Sequence, residues 1–311
     1  MHAPTRVRVG HSFLSLRDTP VAASRSRTDH WRDCLRKVYE RGGALEITVD
    51  RGQTLDSQAR GVDLAWRVKI VHMRDDAIVV EPPAACGATI PLSPNVRLIA
   101  AMTIGQNRWM FHTTTMGHTQ GAGSSGRLLV LKMPEIVERC TRRDFFRIST
   151  VDLRLPTVQC WPLLDPTTVI AAEAANRAQI NDLNECGGIS AYELEDPDSI
   201  LLPEVGPMFK AHLLNISGGG LGLMLRPEEG RALSSRPFMW LRVDLRPEIS
   251  APVGVTVRQA HTHIDSGHNL YAGMAFDFGH NMSHRQFVVD LFTKYAQRVQ
   301  QGQPAQLARA A

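Results

Sequence analysis

The sequence predicts a mainly β protein of two antiparallel barrels with a helix at its C-terminal end, and three observations carry that expectation. Apolar residues alternate in short runs from residue 35 onward, the runs fall into two series separated near residue 138, and helical patterns are read near the end of the chain and in one internal stretch. Period two over short lengths marks half-buried strands, and several such strands with turn signals between them suggest closed or nearly closed barrels. At 311 residues the chain is long enough for two units, each burying a core.

Residues 1–34 are polar and basic, with Arg6, Arg8, Arg17, Arg25 and Arg27, and are expected to form a flexible arm. They lack the unbroken apolar core of a secretory signal. The first series, 35–138, places Leu45, Ile47 and Val49 on one face, then Val62, Leu64 and Trp66, then Val68 and Ile70. Further strands are expected at 77–80, 96–103 and 108–115. Gly121-Ala122-Gly123-Ser124-Ser125-Gly126 satisfies the G-x-G-x-x-G dinucleotide pattern, but Leu128-Leu129-Val130-Leu131 and Pro134 put a strand where that fold needs a helix. Arg127-Leu128 also stands where a P-loop has Lys-Ser/Thr, so a hairpin loop is the expectation.

The second series, 139–299, starts at Phe146-Arg147-Ile148 and resumes at 211–214, 221–225, 238–245, 253–263 and 270–278. Between about 162 and 208 lies an insertion: an alanine-rich helix over 169–180, then an acidic loop with Glu193, Glu195, Asp196 and Asp198. The closing helix is marked by Ser283 and Gln286 at capping-box spacing and by Val288, Leu291, Phe292, Tyr295 and Val299. The Gln-rich tail, 300–311, is expected to be disordered.

Thirty-five Lys and Arg against 31 Asp and Glu give a formal charge of +4, too small an excess for a nucleic-acid coat. The five cysteines are scattered without a C-x-x-C pair, as expected of reduced thiols in the cytosol. No stretch approaches the roughly 20 apolar residues that span a bilayer, so a cytoplasmic protein is expected. His261, His263 and His268 with Asp265 could be drawn as a metal set, but histidines beside a turn are more often solvated, and no metal is expected. Ser217 lies outside any G-x-S-x-G and no triad partner is evident, so no catalytic residue is assigned.

Two stretches more than 60 positions apart carry the functional signal. Arg142-Arg143-Asp144-Phe145-Phe146-Arg147 supplies three guanidiniums, each able to grip phosphate or the O6/N7 edge of guanine in a bidentate fork. Asn215-Ile216-Ser217-Gly218-Gly219-Gly220 supplies an amide, a hydroxyl and glycines that let backbone N–H groups approach a ligand. Alone, the arginines fit a solvated interdomain connector with weak surface ion pairs. Together, the two stretches describe a pocket for a guanine-bearing phosphate ligand.

These residues resemble a known family. Arg143-x-x-x-Arg147 and Asn215-x-Ser217-x-x-Gly220 are similar to the R-x-x-x-R and D/N-x-S-x-x-G motifs of PilZ domains, which bind cyclic di-GMP. Tyr271-Ala272-Gly273-Met274-Ala275-Phe276 resembles the late strand of that domain. The first series, with Leu35-Arg36 at its start and Met133-Pro134 near its end, is similar to the N-terminal, split-barrel-like domain of YcgR-type flagellar brake proteins. The resemblance implies that Arg143 and Arg147 hold phosphate and guanine, that Asn215 and Ser217 hydrogen-bond base or phosphate, and that Gly220 keeps the turn open, with Gly219 also counted in the ligand site. Arg142 resembles the arginines that accept an intercalated pair of ligand molecules.

Two departures stand out: Asn215 replaces the commoner Asp, removing a carboxylate acceptor for the guanine N1/N2 edge, and the 162–208 insertion is atypical. The implied function is a non-enzymatic receptor, without cofactor, that rearranges its two domains on binding cyclic di-GMP and then contacts flagellar motor or switch components at the basal body. The acidic loop is expected to approach the arginines when ligand is absent. Two other functions fit the sequence: a PilZ-like adaptor that has lost its ligand, and a flavin-binding split-barrel oxidoreductase.

Overall fold

The computed structural model describes residues 26–27, 30–52, 61–104, 107–121, 126–141, 154–185, 201–230, 233, 236–264 and 269–303. The first half contains β1 (Ser26–Arg27), α1 (Trp31–Glu40), β2 (Ala44–Val49), β3 (Trp66–Met73), β4 (Ala77–Val80), β5 (Ala84–Ala85), β6 (Ala88–Thr89), β7 (Arg97–Ile104), β8 (Asn107–Gln120), β9 (Arg127–Lys132) and β10 (Glu138–Thr141). The second contains β11 (Thr157–Pro162), α2 (Val169–Glu185), β12 (Phe209–Ile216), β13 (Gly220–Leu225), β14 (Phe238–Val243), β15 (Val253–Ile264), β16 (Leu270–Phe276) and α3 (Met282–Gln301).

Antiparallel pairings close a ring in each half. The first runs β2–β3–β4–β9–β8–β7 and back to β2. Strand β8 makes closure possible: it pairs with β7 through Thr114, kinks at an irregularity between Thr115 and Gly117, and continues against β9. Gly117 adopts φ +117, a conformation that side chains rarely tolerate. The second ring runs β11–β12–β13–β16–β15–β14 and back to β11. A short parallel contact, Ile216 opposite Trp66, joins β12 to β3 and so one ring to the other.

The alternation expected for the first ring is seen in its core, where Leu45, Ile47, Val49, Leu64, Trp66, Val68 and Ile70 are all buried. Arg127–Lys132 is a strand, as expected, and pairs antiparallel with β8; residues 122–125 lie outside the described part. Residues 35–40 differ from expectation, because they belong to α1: Trp31, Leu35 and Val38 recur at helical spacing and are its buried face. The arginine-bearing connector also starts differently. Glu138–Thr141 is a strand, paired with β8 on one side and with β1, from the N-terminal arm, on the other.

In the second ring the expected first strand at 146–148 lies outside the described residues, and the strand that opens the described ring is β11, at 157–162. The internal helix extends beyond 180 to Glu185. Its buried face, Val169, Ala172, Glu173, Asn176, Ile180 and Leu183, packs on the barrel. The acidic loop at 193–198 lies outside the described residues.

The capping box expected for α3 does not form. Asn281 precedes the helix, Ser283 Oγ donates to Asn281 Oδ1 at 2.7 Å, and Gln286 Nε2 donates instead to Asp290 Oδ1 at 2.8 Å. The expected helical stripe does face inward, with Val288, Leu291, Phe292, Tyr295 and Val299 buried. Fraying does not begin at 300: Gln300 and Gln303 hydrogen-bond to Pro91, Ser93, Arg97 and Asp50 of the first half. Residues 304–311 lie outside the described part. One continuous apolar core runs from Trp31 through both rings to Val299, with a smaller cluster of Trp161, Leu163, Val169, Ala172 and Trp240 under α2. No described helix is long and apolar enough to cross a membrane.

Candidate functional site in the cleft between the rings

Strand β12 ends at Ile216 and β13 begins at Gly220, so the motif residues Ser217 to Gly219 form the turn between them. Ser217 N–H donates to the Gly220 carbonyl at 2.7 Å and its Oγ–H to the same oxygen at 3.2 Å, while Gly219 O accepts from Phe276 N at 3.0 Å. The turn is therefore tied to itself and to β16.

Each glycine has a distinct reason. A Cβ on Gly220 would lie 2.1 Å from Met274 O, so only glycine lets β13 start this close to β16. Its role is close strand approach rather than an open turn. A Cβ on Gly219 would meet nothing within 4 Å, so that backbone borders open space. Gly222, opposite Asn215 across the pair, leaves room for the Asn215 amide; a Cβ there would approach it to 3.1 Å.

That turn opens into a cleft of about 530 Å³, within the range of small-ligand sites. Its walls come from both rings. Asn215, Ser217, Gly219 and Gly220 lie on one side with His261, His263 and Tyr271; Glu46, Arg67, Thr103 and Arg108 lie on the other. The structure thus brings together four of the seven expected site residues. Arg142, Arg143 and Arg147 lie outside the described residues.

The backbone just before them is paired with the strand that carries Arg108. Thr141, the last residue of β10, pairs with Asn107, and Cys140 pairs with Arg108, whose side chain lines the cleft.

Asn215 is already engaged across the seam, its Nδ2 donating to Glu46 Oε1 at 3.1 Å. Glu46 Oε2 in turn pairs with Arg108 Nη2 at 2.8 Å. Arg67 stands beside Glu46 on the neighbouring strand, in register with it. Sequence reasoning missed Glu46, Arg67 and Arg108, because a charged residue alternating with apolar ones on a strand looks like a solvated face. The only signal was Arg108 adjoining Trp109, both of which are buried.

His261 and His263 do share a face, as alternation predicts, and both line the cleft. His263 stacks on Tyr271 at 5.0 Å between ring centroids, giving a flat surface of the kind on which a purine stacks. His268 and Asp265 lie outside the described residues. Among the described residues no three His, Cys, Asp or Glu side chains are grouped as metal ligands.

Fold and cleft define a class: two antiparallel β rings sharing a core, with a polar groove at their seam. No family model matches the chain, and no curated protein matches it. Solved structures align with it over most of both chains. They include the inhibitor of motility MotI/DgrA of Bacillus subtilis, at 13% identity and TM-score 0.28, covering 85% of this chain and 99% of that one. MrkH of K. pneumonia in complex with c-di-GMP aligns at 11% identity and TM-score 0.28, covering 88% and 99%. YcgR of Escherichia coli in complex with c-di-GMP aligns at 11% identity and TM-score 0.26, covering 87% and 91%. Superpositions this loose carry no weight for fold or ligand, which rest on this chain's own strands and side chains.

Proposed function

We propose that this protein is a non-enzymatic receptor for cyclic di-GMP, which binds in the cleft between the two rings and signals through contact with a protein partner. The observation that carries this is the opening of the Asn215–Gly220 turn onto a two-walled cleft whose far wall holds Arg67 and Arg108. The strand leading directly into the Arg143-x-x-x-Arg147 motif is paired at Arg108. A dianionic ligand with two purines needs fixed cations, base-edge partners and a stacking surface. Arg143 and Arg147, with Arg142 before them, are the cations; Asn215 and Ser217 are the polar partners; Gly219 gives backbone access.

Because the cleft has walls from two units, 35–138 and 139–299, a ligand that touches both favours one arrangement of them and shifts the population toward it. The arrangement so fixed presents a surface to a partner. The resemblance to flagellar brakes makes control of motility the output, with motor or switch components as the partners.

Calorimetry with cyclic di-GMP on wild type and Arg143→Ala tests the proposal. A charge-assisted hydrogen bond contributes roughly 1.5–3 kcal/mol, so the variant should bind about 10- to 150-fold more weakly. No heat of binding to wild type, or equal affinity for the two proteins, would overturn it.

A further inference from the structure

We infer that Glu46, on the first ring, is the carboxylate that reads the guanine edge of the bound ligand. The inference rests on the receptor function proposed above and adds a specificity-determining residue to it. Glu46 lies on the cleft wall, half-buried, and neighbours from two other strands orient it. Arg108 Nη2 holds Oε2 at 2.8 Å and Asn215 Nδ2 holds Oε1 at 3.1 Å.

An ionised carboxylate has about four acceptor positions on its two oxygens, so each oxygen retains a free direction after these bonds. Guanine presents N1–H and N2–H side by side, a pair of donors matched by the two oxygens of one carboxylate. Adenine offers an acceptor at N1 and mismatches. Hypoxanthine keeps N1–H but lacks the amine, so it forfeits one bond of the pair.

The surroundings sort the ligand's parts. Arg67, on the same wall, attracts phosphate, while the Glu46 carboxylate repels it and accepts from a base edge. Asn215 fits the same arrangement. An aspartate there would set a second carboxylate about 3 Å from the first, and like charges so close disfavour each other, whereas the amide donates to Glu46 and leaves its own oxygen as an acceptor. The carboxylate that position 215 lacks is thus supplied by the opposite wall.

The test uses calorimetry on the full chain with cyclic di-GMP and with its hypoxanthine analogue, which lacks both 2-amino groups. Wild type should bind the guanine ligand about 10-fold or more tightly than the analogue, since a buried polar group left unpaired discriminates strongly. In Glu46→Gln, whose amide N–H₂ faces donors, cyclic di-GMP should weaken about 10- to 100-fold and the preference for guanine should vanish. A merely structural Glu46 would weaken both ligands alike and leave their ratio intact, which overturns the inference. So does a wild type that binds both ligands equally, a result that needs no variant to fold. If wild type binds neither, the receptor function fails first and this assignment with it; if wild type discriminates and Glu46→Gln does so equally, only the assignment fails.

Discussion

Gly220 and Gly273 would both be crowded by a methyl group, but against different atoms. At Gly220 the nearest atom is the Met274 carbonyl oxygen, 2.1 Å away, followed by Ala275 Cα, so backbone must move. At Gly273 it is the His261 ring, also at 2.1 Å, which belongs to an exposed side chain free to rotate. Gly220→Ala should therefore lower the unfolding free energy by about 1–3 kcal/mol or more, and Gly273→Ala by clearly less. Urea denaturation of the two variants measures this, and equal losses would contradict the distinction between backbone and side-chain obstruction.

The helix inserted between β11 and β12 is bound to the barrel by polar as well as apolar contacts. Asn176 on α2 accepts from Gly254 N at 2.8 Å and donates to Pro252 O at 2.9 Å, while Glu173 Oε1 accepts from Thr256 Oγ1 at 3.0 Å. Burial pushes the Glu173 carboxyl up to about 7 from an ordinary 4.5. The native state therefore keeps a proton that the unfolded chain has released, and stability falls as pH rises from about 4.5 to about 7, then levels off. Glu173→Gln keeps an acceptor for Thr256 and removes the titration. The variant should exceed wild type by about 1–3 kcal/mol at alkaline pH and converge with it below the unfolded value. Thermal melts at both ends of this window check the sign; a difference independent of pH would exclude Glu173 as its source.

Contacts of α3 and a polar cluster link the two rings at the seam. The Tyr295 hydroxyl donates to Val62 O and accepts from Leu64 N and Arg51 Nη2, each at 3.0 Å. Arg51 also pairs with Asp63 and with Glu248 of the second ring, and Trp66 packs 6.4 Å from the Tyr295 ring. Tyr295→Phe would leave the buried Leu64 N–H without this acceptor, at a cost of about 1–3 kcal/mol. Because the lost contacts link α3 to the first ring, unfolding of the variant, followed by the fluorescence of the five tryptophans, which lie in both rings and α1, should also become less cooperative. An unchanged urea midpoint and slope would mean that the apolar core alone joins the rings.

Sequence by itself determined the class of the fold, most strand positions, the inward faces of β2 and β3, the internal helix, and the stripe of α3, because alternation and helical spacing are local consequences of burying one face. It also singled out Asn215 to Gly220, since small polar residues and glycines clustered in a turn are unusual enough to notice. It passed over the helical spacing of Trp31, Leu35 and Val38 in α1, and it overlooked β10 and β11, which are short and owe their pairing to neighbours distant in sequence. Only the tertiary structure decided that Asn215 faces Glu46, that Arg67 and Arg108 share its cleft, and that Gly220 serves strand approach. Those facts depend on how one ring meets the other, and a seam of charged side chains from separate strands leaves no periodic trace in the chain.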